Sequence, residues 1–234
     1  MSSCDNRSAK SNNAQSFIMI FLMLFSSFAV YVVQDMTVTP AILDDNNVVM
    51  YDGDFNDAEM VKDIFAAGSS SNPAHQTALG NTLYFTANDG TNGVELWKSD
   101  GTSVGTVMVK DIRTGQESSN PAHQTAVGNT LYFQAEGGSN TNDQLWKSDG
   151  TSSGTVMVKS FGTISQLTAV GNTLYLLAGT NGRELWKSDG TSSGTVMVKS
   201  FSSISQSSLT TVGSTFYFTA DDGTNGTELW KSDG

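Results

Sequence analysis

The acidic side chains of this chain recur at fixed places, and carboxylate oxygens are ligands that Ca²⁺ prefers. One Asp precedes a Gly in the same motif four times, at Asp100, Asp149, Asp189 and Asp233. Two interpretations are open: a calcium-binding loop, or a turn in which Asp accepts backbone N–H bonds and Gly takes a positive φ. We expect a structural turn, because one carboxylate per loop is far fewer than the roughly six to eight oxygens that Ca²⁺ takes.

A second group of acids, Asp89, Asp221 and Asp222, lies in another recurrent polar loop. These three are the remaining candidates for metal ligands. The third copy of this loop, residues 179–182, contains no acid. Any calcium site would therefore be confined to particular repeats, and we expect no other cofactor.

The histidines His75 and His123 lie in twin segments, residues 71–78 and 119–126. Neither a third His nor a second Cys completes a zinc site, since Cys4 is the only cysteine. We attribute both histidines to duplication and expect them to lie one repeat apart rather than in one pocket. The sequence suggests no base–nucleophile pair, and we therefore expect no catalytic residue and no enzymatic activity.

Four tryptophans mark the repeat, with spacings of 49, 40 and 44 residues: Trp97, Trp146, Trp186 and Trp230. Aromatic rings in such a series could form a surface on which sugars stack. Each Trp follows a Leu within a predicted strand, however, and a Trp buries a large apolar area. We therefore expect these four residues to pack within or between the repeats.

The tryptophans belong to a repeat of about 40 to 50 residues, a period typical of propellers and other repeat arrays. Residues 145–161 and 185–201 are identical, LWKSDGTSSGTVMVKSF. In one unit, β-rich runs cover residues 76–79, 82–87, 94–99 and 106–112. Gly80-Asn81, a dipeptide suited to a tight hairpin, separates the first two. The pattern predicts four short antiparallel strands per unit.

Consecutive apolar residues, such as 83–85 and 107–109, indicate strands that are covered on both faces. We therefore predict an all-β array of four-stranded antiparallel units stacked face to face, as a β-propeller or partial propeller. A β-solenoid or a string of separate sandwiches fits the hairpins and the unit length less well. The predicted units are a half-unit at 48–64, full units at 75–112, 123–161 and 164–201, and an incomplete unit at 208–234.

The half-unit contains, at residues 58–64, the sequence of the fourth strand that the last unit lacks. These residues could close a ring by pairing with residues 228–231, or the chain could be part of a longer array. We expect the open form, because residues 48–51 would compete with 228–231 for the same partner.

Residues 17–33 carry no charge, and Arg7 and Lys10 precede them. This pattern predicts an N-terminal apolar helix that is a signal peptide or a transmembrane anchor, after a cytoplasmic segment at 1–16 and before a linker at 34–47. The repeats would then be extracellular, either membrane-anchored through residues 17–33 or secreted. The net charge of −11 argues against nucleic acid as a partner.

The motif itself resembles the ELWxxDGT repeat, in which Glu-Leu-Trp, two residues and Asp-Gly-Thr are followed by a Val-Lys-Asp strand. Glu95, Glu184 and Glu228 fit the pattern, whereas Gln144 departs from it. The matching segments are residues 94–112, 144–161, 183–201 and 227–234, and Ser160 and Ser200 replace the acid found at Asp111. The resemblance implies an exported, surface-associated bacterial or archaeal protein with a propeller-like fold, and it supplies no catalytic residues.

These features lead to one expectation and one alternative. We expect an exported, membrane-anchored repeat scaffold that binds an extracellular protein or glycan in recognition or adhesion. The alternative is a secreted carbohydrate-active propeller enzyme or a calcium-dependent glycan-binding module. The enzyme would need paired carboxylates that converge on one pocket, whereas these acids are spread one per turn.

Overall fold

Four-stranded antiparallel sheets repeat along the chain in the computed structural model, which describes residues 58–66, 68–138, 142–205 and 209–233. Unit 1 is a simple meander in which each strand pairs with the next. Its strands are β1 (Ala74–Leu79), β2 (Thr82–Asn88), β3 (Val94–Ser99) and β4 (Val107–Lys110).

Units 2 and 3 repeat this meander. Unit 2 contains β5 (Ala122–Val127), β6 (Thr130–Glu136), β7 (Asp143–Ser148) and β8 (Val156–Ser160). Unit 3 contains β9 (Ile164–Val170), β10 (Thr173–Ala178), β11 (Glu184–Ser188) and β12 (Val196–Ser200), with a 3₁₀ turn at Thr180–Gly182 between its second and third strands.

Unit 4 differs in its first strand, which is split in two. β13 (Ser203–Ile204) and β14 (Thr210–Val212) both pair with β15 (Thr215–Asp221), which also pairs with β16 (Thr227–Ser232). The prediction of an all-β array of four-stranded antiparallel repeats is confirmed. The ring closure that would define a full propeller is absent among the described strands.

The hairpin between the first and second strands has the same geometry in all four units. Its Gly has a φ between +57° and +61°, at Gly80, Gly128, Gly171 and Gly213. Only Gly adopts this left-handed conformation without a steric penalty, which explains why Gly recurs at this turn. The turn reverses the chain within two residues and fixes the register of the two strands.

The apolar core lies between consecutive sheets. One cluster joins Tyr84, Leu96 and Val109 of unit 1 to Leu131 and Phe133 of unit 2. Comparable clusters join units 2 and 3 and units 3 and 4. We call the surface between two consecutive sheets a seam, the side given by the earlier unit its forward face, and the side given by the later unit its backward face.

A Trp and a Lys repeat at the outer part of each seam. The Lys159 ammonium lies 5.1 Å from the ring centroid of Trp186 in the next unit and donates to the Thr195 carbonyl at 2.9 Å. Lys110 does the same with Trp146 and the Thr155 carbonyl, at 5.8 and 2.8 Å. These contacts combine cation–π attraction with a charge-assisted hydrogen bond, so they fix the register between sheets.

The first strands of consecutive units lie beside each other on the opposite side of the seam. The Thr77 hydroxyl of β1 donates to the Gln124 carbonyl of β5 at 3.2 Å. β5 in turn contacts β9. The sheets therefore stack with their first strands together, which is a propeller-like arrangement.

Residues 58–66 differ from prediction, because they form no strand in the structure. The Lys62 ammonium donates to the Thr106 carbonyl at 2.8 Å, and Ile64 packs against Phe85, Ala87 and Trp97. The segment thus supplies the Lys and apolar contacts of a preceding unit while finding no partner strand among the described residues. It pairs with β15 and β16 at no described position.

The predicted N-terminal helix and the predicted segments 1–16, 17–33, 34–47 and 48–57 lie outside the described residues. Among the residues that are described, no helix has the length and apolar character needed to cross a bilayer.

Candidate functional site

The Asp of the repeated motif accepts hydrogen bonds from its own loop. Asp100 Oδ1 accepts from the Thr102 backbone N–H at 2.9 Å and from the Thr102 hydroxyl at 2.7 Å. Asp149 and Asp189 make the same two bonds, to Thr151 and Thr191. The hydrogen bonds from the Thr hydroxyl and backbone lower the pKa of all three carboxyls. Asp233 occupies the fourth copy, whose Gly234 lies outside the described residues.

The rest of this turn is an internal network of hydroxyls. The Ser99 and Thr106 hydroxyl oxygens are 2.7 Å apart, and the Gly101 backbone N–H donates to Ser99 at 3.0 Å. A Cβ at Gly105 would collide with the Asp100 carboxylate. The turn closes on its own polar groups, so its Asp offers few free oxygens to a metal ion.

Three of the tryptophans lie in the seams, and Trp97 lies on the backward face of unit 1. Phe161 packs edge-on against Trp186 with ring centroids 5.1 Å apart, and Phe201 packs against Trp230 in the same way at 5.2 Å. Trp146 packs on the cluster between units 1 and 2, and Trp97 is buried against Ile64. These positions leave no continuous row of exposed indole faces for stacking sugars among the described units.

The metal candidates of the other polar loop also bind their own backbone. Asp89 Oδ1 accepts from the Thr91 and Asn92 N–H groups at 2.9 and 2.8 Å, and Asp222 makes the equivalent bonds in unit 4. Backbone N–H donors lower the pKa of Asp222, and hydrogen bonds from Asn92 and Thr91 outweigh burial to lower that of Asp89. Asp221 is adjacent to Asp222, whereas Asp89 belongs to a different unit. In the described part of the chain, no three His, Cys, Asp or Glu side chains cluster as metal ligands would.

The histidines occupy a backbone feature that the sequence did not reveal. His75 and His123 have φ values of 54° and 55°, in the left-handed region that few residues other than Gly adopt. Each lies at a register shift in its strand, between Ala74 and Thr77 and between Ala122 and Thr125. Strain of this kind is found at bulges that redirect a side chain. The only sequence signal is the twin SNPAHQT segment.

The two bulges lie on neighbouring strands. Burial lowers the pKa of His123, and the nearby His75 lowers it further. His75 is exposed and His123 is half-buried. Although they belong to different units, as expected, His75 is close enough to His123 to lower its pKa.

Glu95 is a second feature that sequence reasoning missed. Its side chain is fully buried and accepts hydrogen bonds from the Ser119 N–H and hydroxyl at 2.8 and 2.6 Å and from the Ile112 N–H at 3.1 Å. Burial raises the pKa of Glu95 to about 7, because desolvation outweighs these donors. Glu95 therefore holds both ends of the connection between units 1 and 2.

The same motif position is used differently in the next two units. Trp146 Nε1 donates to Gln144 at 3.1 Å, and Trp186 Nε1 donates to Glu184 at 3.0 Å. In unit 1, Glu95 is engaged by the connection instead, and the buried Trp97 N–H finds no acceptor among the described residues. The residue type at this motif position does not predict whether its side chain binds the connection between units or the Trp N–H of its own strand.

The loops between second and third strands form one edge of the array with the connections between units. The Val94 N–H donates to the Ser118 hydroxyl at 2.8 Å, and the Phe161 N–H donates to the Asp143 carbonyl at 2.8 Å. We call this the variable edge, because its connections differ in length and its loops differ in sequence, apart from loops 89–93 and 222–226, which both read DGTNG. Its members are loops 89–93, 137–142, 179–183 and 222–226 and connections 111–121, 161–163 and 201–202, of which residues 139–141 are not described.

The opposite edge carries the Asp-Gly turns and the Gly hairpins, and its sequence is nearly constant. The two edges therefore differ in kind. One consists of turns of nearly constant sequence, and the other has connections of different length that present acids, amides and the ion-paired Arg113. In that ion pair, Arg113 contacts Glu136 at 3.1 Å and Glu117 at 2.5 Å.

No family model matches the chain, and no curated protein matches it. The chain is similar in structure to the computationally designed Ika8 protein, with 15% identity and a TM-score of 0.43 over 68% of this chain and 46% of Ika8. It is similar to the designed Ika4 protein, with 16% identity and a TM-score of 0.44 over 74% of this chain and 98% of Ika4.

A third similar structure is a puromycin hydrolase mutant complexed with PGG, with 15% identity and a TM-score of 0.47. That match covers 69% of this chain and 26% of the hydrolase. At these identities and TM-scores, the three likenesses carry no argument about an activity or a ligand of this chain.

Proposed function

We propose that the chain is an exported binding scaffold of the ELWxxDGT type, built as a partial or complete β-propeller. In this proposal, residues 17–33 anchor it in the membrane or are removed as a signal peptide, and the repeats are extracellular. It binds a glycan or protein in recognition or adhesion and catalyses no reaction. The uncharged run at 17–33, preceded by Arg7 and Lys10, supports export.

The observation that carries the binding role is the contrast between the two edges of the array. The constant edge repeats one turn, in which Asp100, Asp149 and Asp189 make the same hydrogen bonds. The variable edge combines connections of different length with loops of which only 89–93 and 222–226 share a sequence, on a frame of paired strands. Recognition is usually built on such loops, since the frame holds them while their sequences vary.

The hydrogen bonds and burial of the acidic side chains support a role without catalysis. The carboxylates of Asp89 and Asp222 accept bonds from their own loops, and Glu95 is buried within the first connection. A hydrolase or lyase needs two carboxyl groups that converge on one substrate pocket. In the described units these acids are dispersed one per loop.

The proposal is tested by presenting the full chain to an array of extracellular glycans and surface proteins. We expect retention on at least one of them, weakened by Thr91→Arg and by Thr224→Arg, which add bulk at exposed positions of the variable edge. Ser103→Arg adds the same side chain at an exposed position on the constant edge and serves as the matched control.

Binding should survive Ser103→Arg within about twofold, because that residue lies away from the loops that we propose as the binding surface. Absence of binding to the whole array would contradict the proposal. Equal losses for the three variants would also contradict it, since they would indicate a general effect of positive charge.

A further inference from the structure

The forward face of unit 4 is exposed where the equivalent faces of the other units are buried. Leu229 on β16 is 73% exposed, whereas its equivalents Leu96, Leu145 and Leu185 are 0, 0 and 1% exposed. Val212 on β14 is also exposed, although its equivalents Val127 and Val170 are buried. This face therefore exposes to solvent the residues that are buried in a seam in the other units.

The backward face of unit 1 is exposed in a complementary way. Leu83 on β2 is 41% exposed, whereas Leu131 and Leu174 are fully buried at the same position in units 2 and 3. Among the described residues, 58–66 cover only part of this face. A groove remains, and it is lined by Val61, Leu83 and Phe85 among others.

Within the chain, a Tyr and a Lys of one unit contact the Asp-Gly turn of the next unit. The exposed face of unit 4 carries the Tyr and the Lys, and unit 1 carries the turn. In the seam between units 1 and 2, the Lys98 ammonium donates to the Gly150 carbonyl at 2.9 Å, and a Cβ on Gly150 would lie 2.5 Å from the Tyr84 hydroxyl. The Tyr132 hydroxyl packs on Gly190 in the next seam. A Tyr and a Lys on the forward face thus clasp the Asp-Gly turn of the next unit.

Unit 4 repeats the clasp, and unit 1 repeats the turn. Tyr217 and Lys231 are register partners on β15 and β16, as Tyr84 and Lys98 are on β2 and β3. At the other end, the space over Gly101 is open, where a Tyr hydroxyl covers Gly150. Hydrogen bonds from Thr151 lower the pKa of Asp149, and Lys98 of the preceding unit adds to this effect, so a Lys at this position also complements the charge of the turn Asp.

We propose that the forward face of unit 4 docks on the backward face of unit 1 in a second copy of this chain. Tyr217 and Lys231 then clasp the turn at Asp100 and Gly101 of that copy, and Leu229 packs beside Leu83. The contact is heterologous, because two different faces meet, so it propagates head to tail until a ring closes. This inference does not depend on the proposed binding function.

A second copy is the occupant that the observations favour. Leu229 and Leu83 are exposed together, so the two faces do not cover each other within one chain. The internal seams already show that these side-chain sets fit each other. An exposed apolar face also favours association with another chain.

The test measures the size distribution of the full chain in detergent by sedimentation velocity over a range of concentrations. We expect concentration-dependent dimers and larger species for the unchanged protein. Leu229→Asp and Leu83→Asp should each weaken association at least about tenfold, because each places a charge in an apolar contact. Met157→Asp, at a half-exposed position in unit 2, is the matched control and should associate normally.

Mixing the two defective variants makes the test specific for the head-to-tail geometry. Leu229→Asp retains an intact backward face, and Leu83→Asp retains an intact forward face, so their mixture should form dimers and nothing larger. Recovery of dimers also shows that both variants are folded. The proposal is overturned if the unchanged chain is monomeric, if neither variant alters association, or if the mixture stays monomeric.

Discussion

At the scale of single residues, the Asp of the repeated turn is held by its neighbour two positions along the chain. Both bonds to Asp189 come from Thr191, one from its backbone N–H and one from its hydroxyl. Gly194 leaves the space that the carboxylate fills, since a Cβ there would collide with it. The carboxylate thus bonds to Thr191 and packs against Gly194 at the other end of the six-residue loop.

Asp189→Ala should lower the melting temperature by a few degrees, because it removes the acceptor of both bonds. Asp189→Asn should have a smaller effect, since an amide oxygen can still accept. Because the pKa of Asp189 is lowered, its stabilising contribution is present above its unfolded value of about 4 and is lost as the pH falls through the folded pKa. Thermal melts with and without millimolar Ca²⁺ check the assignment.

Calcium should leave the melting temperature of both proteins unchanged. A rise of several degrees with Ca²⁺ that Asp189→Ala abolished would instead establish a metal site at the turn.

Glu95→Gln should change how stability depends on pH. The pKa of Glu95 rises from its ordinary value of 4.5 to about 7 on folding, so the folded state holds this proton more tightly. The free energy of unfolding should therefore fall as the pH rises from about 4.5 to 7, by roughly 3 kcal/mol at most. Gln cannot titrate, so the variant should lose this decrease, and urea unfolding at several pH values measures it.

The comparison between the two proteins is needed because His123 acts in the opposite direction. Its pKa is lowered on folding, which makes stability rise with pH up to about 6.5. Both proteins contain His123, so the difference between their pH profiles isolates Glu95. Gln144, at the same position in unit 2, shows that the fold accommodates an amide there. Identical pH profiles would refute the titration of Glu95.

At the scale of elements, the seam depends on aromatic and cationic contacts to each Trp. Trp186 makes a T-shaped contact with Phe161, and Lys159 lies over its ring; both partners come from the preceding unit. Its indole N–H donates to Glu184 in its own strand. One residue therefore couples strand β11 to the sheet before it.

Trp186→Ala should destabilise the protein by roughly 3 kcal/mol, at the low end of the range for truncating a large aromatic, because Trp186 is half-buried. Trp186→Phe retains an aromatic ring for Phe161 and should cost less. Denaturant unfolding with both variants measures the difference. A loss within about 0.5 kcal/mol for Trp186→Ala would indicate an exposed platform and would favour stacking on a sugar.

The strands were largely predictable from sequence because a tight Gly hairpin and paired apolar runs define them locally. The predicted run 82–87 became β2, Thr82–Asn88, and 94–99 became β3 without change. Residues 58–64 were predicted as strand by similarity to 106–112, and this was wrong in the structure. A strand needs a hydrogen-bonded neighbour, and similarity in sequence does not supply one.

The candidate site was less predictable because it depends on contacts between distant segments. The turn Asp recurs at a fixed position of the sequence motif, and its hydrogen bonds come from residues in the same loop. The burial of Glu95 instead depends on Ser119, which is 24 residues away. The left-handed conformation of His75 likewise depends on how β1 pairs with β2, and its residue type gives only a weak signal of it.

At the scale of the whole molecule, the array is held by contacts between neighbouring units, so its behaviour is close to one-dimensional. Each internal sheet buries both faces, whereas the first and last sheets each have one neighbouring unit in the described chain. A destabilising substitution in an end unit should therefore weaken that unit most and the distant units least.

Export is a prediction about the entire chain. Because residues 17–33 are uncharged and follow Arg7 and Lys10, the repeats should lie outside the cytoplasm. Protease added to intact cells with a permeable outer layer should degrade them. Deletion of residues 17–33 should retain the repeats inside and protect them, which provides the control. Protection of the unchanged chain would refute export.

Ile64→Asp should loosen unit 1 before any other unit. Ile64 packs on Phe85, Ala87 and Trp97, so a charge there replaces the apolar cover of the backward face of unit 1. Hydrogen exchange should show reduced protection in β1 to β4 and little change in β10 and β11, because two seams separate them from the substitution. Ile204→Asp, at a partly buried position in unit 4, is the matched control and should reduce protection in β15 instead.

The same experiment distinguishes the open array from a closed ring. If residues 58–64 completed unit 4 by pairing with residues 228–231, Ile64→Asp would reduce protection in β15 and β16 as well as in unit 1. In the structure, Lys62 and Ile64 contact unit 1, and β16 pairs with β15 among the described strands. We therefore expect the loss to remain in unit 1. A matching loss in β16 would show that this segment joins the two ends of the array.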